Sequence, residues 1–301
     1  MVKLPDGFFE LVVQCKDRDV SDPTDRKEID DEEIWDSVVF VVLLRLGGML
    51  DEAQSHYLRE VVKSDSLLID KEFISKSSFG TWSARLMNII NKQKQVEHSG
   101  KKLATLGILR ESNNPNAPIR RLHDDLFNFL EYIEDKPLDK KYINNLSPSK
   151  DGDLIAEIMT EVRGIGYTKA TLFCYGLGLA YDFSAVSGHV RAFVEEYIKV
   201  GINPEDYFVF NSYLKNDILK DYRAKEPKIV MRYIDLAIYA LYVGRAQLFL
   251  KHKKDRITPR IILDWISFKK FDLEKFLDVI GDLDEVESYS QDFTDFAIER
   301  I

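Results

Sequence analysis

Two glycines one residue apart, Gly164 and Gly166, separate two stretches whose apolar residues recur at helical spacing. Asp153–Met159 carries Leu154, Ile155 and Ile158 before them, and Ala170–Tyr175 carries Leu172, Phe173 and Tyr175 after them. The spacing predicts two helices joined by a tight hairpin near 153–180. Glycine at both turn positions permits positive φ and leaves the turn's backbone N–H groups uncovered. Together with the positive end of the second helix, such donors suit a phosphate. A turn of this kind holds a nucleic-acid backbone without reading its bases.

A second segment follows at a fixed distance: Ala185-Val186-Ser187-Gly188-His189-Val190. With the turn Arg163-Gly164-Ile165-Gly166-Tyr167, it resembles the helix-hairpin-helix DNA glycosylase superfamily, which includes the endonuclease III and 8-oxoguanine glycosylase branches. The likeness is densest over Leu154–Phe193 and thinner over Trp35–Gly244. It implies a mainly α-helical, all-α protein: a two-lobed bundle with the hairpin at its cleft. It also implies a DNA partner, duplex with a damaged base, contacted through Arg163, Gly164, Ile165, Gly166, Tyr167, Thr168 and His189.

The chain departs from that family where the chemistry is done. Ser187 stands where the family has its catalytic aspartate, and Thr168 stands where bifunctional members have the lysine that attacks the sugar. Lys169 is one place later, and one helical step turns a side chain by about 100°. Both Asp and Ser cap helices well, so Ser187 preserves the helix start while removing the carboxylate. Asp182, five residues earlier, is the nearest replacement acid. The catalytic candidates are therefore Lys169, Ser187 and Asp182. Breaking an N-glycosidic bond builds positive charge on the sugar, which a carboxylate stabilises and a lysine can capture as a Schiff base. The expected function is a base-excision-repair glycosylase, or a protein derived from one. The alternative is a catalytically inactive nucleic-acid-binding or helical protein-interaction protein on the same scaffold. Tyr167, Phe173 and Tyr175 are candidates to stack on an extruded base, or else core residues.

A net charge of −9 sits awkwardly with a nucleic-acid partner until it is located along the chain. Asp272–Ile301 carries a net −8 and Lys16–Trp35 a net −5, which with −1 for Met1–Cys15 leaves Asp36–Phe271 at +5. The acidic ends thus mask a mildly basic middle, and binding depends on local contacts. The acidic C-terminal segment offers a surface for a protein partner. Two distant cysteines, Cys15 and Cys174, cannot hold a four-cysteine iron–sulfur cluster, and no zinc spacing exists, so no cofactor or metal is expected. The resemblance is compatible with a monovalent cation at the hairpin. No apolar run reaches the roughly 18 residues of a membrane helix, and the start lacks a signal-peptide core, so a cytoplasmic protein with no membrane partner is expected.

Three regions emerge: a partly flexible N-terminal segment (1–33), a helical glycosylase-like region (34–255) and an acidic helical extension (256–301). Phe8–Gln14 reads as a short strand or buried segment, and Asp17–Glu33 as a charged linker. Helices are expected from Ile34 to Gly47-Gly48 and over Gln54–Val62, Phe79–Ile90, Leu122–Glu134, Lys140–Leu146, Val190–Val200 and Val230–Phe249. Another opens at Thr258-Pro259, with Glu111–Pro118 a loop. Arg120, Arg121, His123 and the run Lys251–Arg256 are basic candidates for a phosphate contact or a solvated surface. Asp235 is expected to be a paired acid on a long apolar helix.

Overall fold

The computed structural model describes residues 3–17, 28–44, 52–94, 117–135, 140–147, 150–199, 201–203, 206–247 and 257–270, together with Lys275, Phe293 and Ala297. Gly47-Gly48, most of the Glu111–Pro118 loop, the basic run Lys251–Arg256 and nearly all of the acidic C-terminal segment lie outside the described residues. Within them the protein is all-α, with no strand. None of the helices is long and apolar enough to cross a membrane.

Two compact units divide the chain, one of residues 27–179 and one of 1–26 with 180–301. Helix α1 (Phe8–Asp17) belongs to the second. The 27–179 unit holds α2 (Asp31–Leu44), α3 (Glu52–Lys63), a 3₁₀ turn at Ser66–Ile69, α4 (Lys71–Lys76) and α5 (Phe79–Lys94). It continues through α6 (Pro118–Asp135), α7 (Lys140–Asn145), α8 (Asp151–Glu161) and α9 (Tyr167–Gly176). The other unit adds α10 (Gly188–Tyr197), α11 (Tyr207–Leu214), a π segment at Lys215–Leu219, α12 (Lys220–Lys225), α13 (Met231–Gln247) and α14 (Pro259–Lys269). The boundary at 179/180 falls inside the 34–255 region delimited from sequence.

Local chemistry sets where helices of the 27–179 unit begin. Asp30 and Glu33 form a capping box: the Asp30 carboxylate accepts from the Glu32 and Glu33 N–H groups at 2.9 Å, and Glu33 accepts from the Asp30 N–H at 2.9 Å. The charged stretch read as a linker thus turns helical at its end. Trp35 and Trp82 donate their indole N–H groups to Ile69 and Leu68, the last carbonyls of the 3₁₀ turn, at 2.7 and 2.9 Å. Helix α9 packs on both α2 and α8. Gly176 permits the first of these approaches, because a Cβ there would lie 2.6 Å from the Ser37 hydroxyl.

In the discontinuous unit Phe8–Gln14 is helical, which corrects the strand option and keeps the buried one. Its aromatic and β-branched residues suit a strand by propensity, but Phe8, Leu11, Val12 and Cys15 fall on one helical face and are buried. That face packs on α13 and α14, and Phe8 stacks on Phe193 with centroids 4.8 Å apart. Gly7 at φ +79° brings the chain against α14, where Arg260 N–H donates to the Asp6 carbonyl at 3.2 Å. Pro259 opens α14 as expected, although Thr258 makes no side-chain cap bond.

Candidate functional site

Helix α8 is followed by the turn Val162–Gly166 and then by α9, which packs against it. Val162 and Ile165, 0% and 3% exposed, plug the turn into the core, while Arg163, Gly164 and Gly166 face outward. The Ile165 N–H closes the turn on the Val162 carbonyl at 3.2 Å. Gly164 adopts φ +89°, the left-handed geometry that favours glycine. Gly166 differs from expectation. It is the N-cap of α9 with ordinary extended backbone, φ −94° and ψ 176°, and a Cβ there would meet nothing within 4 Å. The fold therefore has no steric need for glycine at 166, in contrast to 176. The N–H groups of Gly164 and Gly166 donate to no acceptor among the described residues.

One flank of the turn is acidic. Asn128, Glu131, Tyr132, Asp135, Glu161 and Arg163 line a shallow cavity of about 200 Å³, and Asn128 donates to the Arg163 carbonyl at 3.5 Å. Burial, aided by the Glu157 carboxylate, pushes the Tyr132 hydroxyl pKa up, so it stays protonated. Lys169, in the first turn of α9, is half-buried, as is Thr168. Tyr167, Phe173 and Tyr175 are buried at 0%, 0% and 7% exposure, so the structure assigns them to the core and not to base stacking. Arg120 and His123 present no open basic patch either. Arg120 pairs with Asp124 at 3.0 Å and lies 4.5 Å over the Phe79 ring. His123 is buried among Phe79, Trp82 and Phe127, with its Nδ1 3.4 Å from Asp124. Burial lowers its pKa.

Ser187, Asp182 and His189 belong to the other unit, on the segment leading into α10. The Ser187 hydroxyl accepts from the Val190 N–H at 3.3 Å, the N-cap role read from the sequence. Asp182 points elsewhere. Arg223 donates to one of its carboxylate oxygens at 2.5 Å and Lys215 to the other at 3.4 Å. Burial alone would raise the Asp182 pKa, but these two cations outweigh it and hold the carboxyl below its usual range. An acid so paired makes a poor proton acceptor. His189 has its pKa lowered by burial and rests its ring against Tyr242 and Tyr239, both with centroids at 5.7 Å.

Residues that the sequence did not single out fix this segment. The Met231 N–H donates to the Tyr181 carbonyl at 2.8 Å, and the Ser184 N–H to Asn211 Oδ1 at 3.0 Å. Asp235, read as a paired acid, accepts from the Ser184 hydroxyl and the Ala185 N–H. The 180–187 segment is thereby tied to α11, α12 and α13. Nothing local in the sequence signals these ties, because each spans 27 positions or more. Among the described residues no group of His, Cys, Asp and Glu side chains could hold a metal ion. Comparison with protein-family models, curated proteins and solved structures finds no match to the chain.

Proposed function

We propose that the chain is a glycosylase-derived protein that binds duplex DNA by its phosphate backbone and releases bases slowly or not at all. The observation that carries this reading is the hairpin turn. Its exposed Gly164 and Gly166 have unpartnered amides, at the start of a ten-residue helix whose N-cap glycine the packing does not require. Backbone donors of this kind suit phosphate oxygens. The division of the chain into two units accords with the two lobes that the family resemblance implies. Three features support weak chemistry: Ser187 is engaged as a cap, Asp182 is ion-paired, and Lys169 is one residue out of phase with the expected lysine.

The test is titration of duplexes carrying 8-oxoguanine, uracil or an alkylated base, followed by anisotropy across a salt series and by base release. Affinity that falls with salt, is lost in Gly166→Val and is accompanied by little base release supports the reading. Binding insensitive to salt, or unchanged in the folded variant, overturns it. The carboxylates of Glu131, Asp135 and Glu161 beside the turn favour a second reading, a helical protein-interaction scaffold whose hairpin holds no nucleic acid. Absence of DNA binding at low salt would select it.

A further inference from the structure

Helix α13 buries most of its surface: Tyr233, Ile234, Ala237, Ile238, Ala240 and Leu241 are each at most 2% exposed. Tyr239 on the same helix is 46% exposed. It does not stand alone, because the His189 ring lies 5.7 Å from both it and Tyr242, inclined 59° to Tyr239 and 29° to Tyr242. The inner ring of this set is fixed. The Tyr242 hydroxyl donates to Glu196 at 2.6 Å, and Arg245 donates to the same carboxylate oxygen at 2.9 Å. Arg245, only 6% exposed, also donates to the Tyr197 hydroxyl at 2.6 Å and the Ile257 carbonyl at 3.2 Å, and lies over the Tyr242 ring. The Tyr242 ring is therefore held in place before any ligand arrives, and it gives the His189 ring, and through it Tyr239, a fixed surface to rest against.

We infer that Tyr239, backed by His189 and Tyr242, is a stacking platform for the unpaired base of a nucleic acid. The inference rests on the nucleic-acid reading above and names the part of the ligand taken at this second place. A planar π face is the chemistry that a pre-set ring offers, and every base has one. The charge around the rings suits a nucleotide better than a free apolar ring. Arg245 offsets Glu196, while exposed Arg232 lies two turns from Tyr239 on α13, at a spacing that keeps both on one helix face. Burial lowers the His189 pKa, which favours its neutral ring. Stacking also accounts for an exposed aromatic on a helix whose other rings are buried or half-buried.

The experiment uses the full chain and a 12-nucleotide single strand carrying one central 2-aminopurine, with an abasic strand of the same length as control. The wild type should quench the fluorescent base and bind it about tenfold more tightly than the abasic strand. Tyr239→Ala should bind both strands at the abasic level without quenching, and Tyr239→Trp should restore both effects. Equal affinity for the two strands with no quenching, while Gly166→Val still abolishes duplex binding, overturns the platform and leaves the hairpin reading standing. No binding of either strand or of duplex overturns both.

Discussion

Asp235 and Ser184 are 51 positions apart in the chain, and the Ser184 hydroxyl donates to the Asp235 carboxylate at 2.6 Å. The second carboxylate oxygen accepts from the Ala185 N–H at 2.6 Å, so one side chain holds two consecutive residues just before Ser187. Bonds to a charged acceptor contribute about 1.5–3 kcal/mol each. Asp235→Ala should cost about 2–4 kcal/mol in urea unfolding, and Asp235→Asn less because its amide oxygen can still accept one bond. A loss below about 0.5 kcal/mol for the alanine variant, typical of an unimportant surface site, would contradict the bracing role.

The two hairpin glycines should separate under mutation. Gly164 at φ +89° strains any side chain, so Gly164→Val should lose about 1–3 kcal/mol of stability as well as DNA affinity. Gly166 has ordinary backbone and open space, so Gly166→Val should keep its melting temperature within a few degrees while losing at least tenfold in affinity. Paired melting and anisotropy measurements check this. Equal thermal losses in both variants would deny the distinction.

Acid should weaken the fold through His123. Burial makes its folded pKa lower than in the unfolded chain, so the unfolded state takes the proton first. Its contribution is fully present above about pH 6.5 and is lost as pH falls from there toward the folded pKa. The charges acting on it, Asp124 and Arg120, both sit on its own helix, while α5 presents only the Phe79 and Trp82 rings as its aromatic neighbours. His189 shifts in the same direction. Unfolding at pH 7.5 and 5.5 in a His189→Gln background should therefore show a drop that a further His123→Phe change removes. An undiminished drop would assign the acid sensitivity to other groups.

Removing negative charge beside the turn should strengthen binding. Glu161→Gln takes one carboxylate from the flank that Arg163 shares, so DNA affinity should rise about two- to fivefold near 50 mM salt. The gain should shrink toward nothing near 0.5 M, where screening is short-ranged. A gain that persists at high salt would point to an altered turn conformation.

Ser187→Asp should retain the helix cap, since either side chain can accept from the Val190 N–H that Ser187 now holds. A carboxylate at that place should produce measurable base release on at least one lesion. Vigorous wild-type activity that survives Asp182→Asn would instead indicate an acid outside the candidates named here.

The helices that sequence resolved include those where apolar residues repeat at 3.6 positions with a polar face opposite, as in Phe79–Lys94 and Pro118–Asp135, and long mainly apolar runs, as in Asp31–Leu44 and Met231–Gln247. Tyr207–Leu214 escaped notice because Tyr-Phe-Val-Phe-Asn-Ser-Tyr-Leu shows no such alternation, and its buried Asn211 acts on a residue 27 positions earlier. The two helices on either side of the glycine turn were legible because the constraint is local: two glycines and apolar residues at helical spacing before and after them. Gly166 was misread in conformation because sequence marks where glycine occurs and not which φ it takes. The Tyr239 ring set was hidden for another reason. Tyrosine at helical spacing reads as core, and only the finished packing reveals which ring is left outside.

The π segment at Lys215–Leu219 works as a phase adjuster. In an unbroken α-helix, Arg223 would sit about 80° around the axis from Lys215, eight residues on. Four steps at the π-helix value of about 82° reduce that offset to about 8°, and both cations can turn to Asp182. The winding of a helix thus governs how firmly a separate loop is held. Losing one residue from 216–219 would restore regular winding with seven steps between Lys215 and Arg223, an offset of about 20°, so the π segment lets the helix carry one extra residue without taking either cation off Asp182.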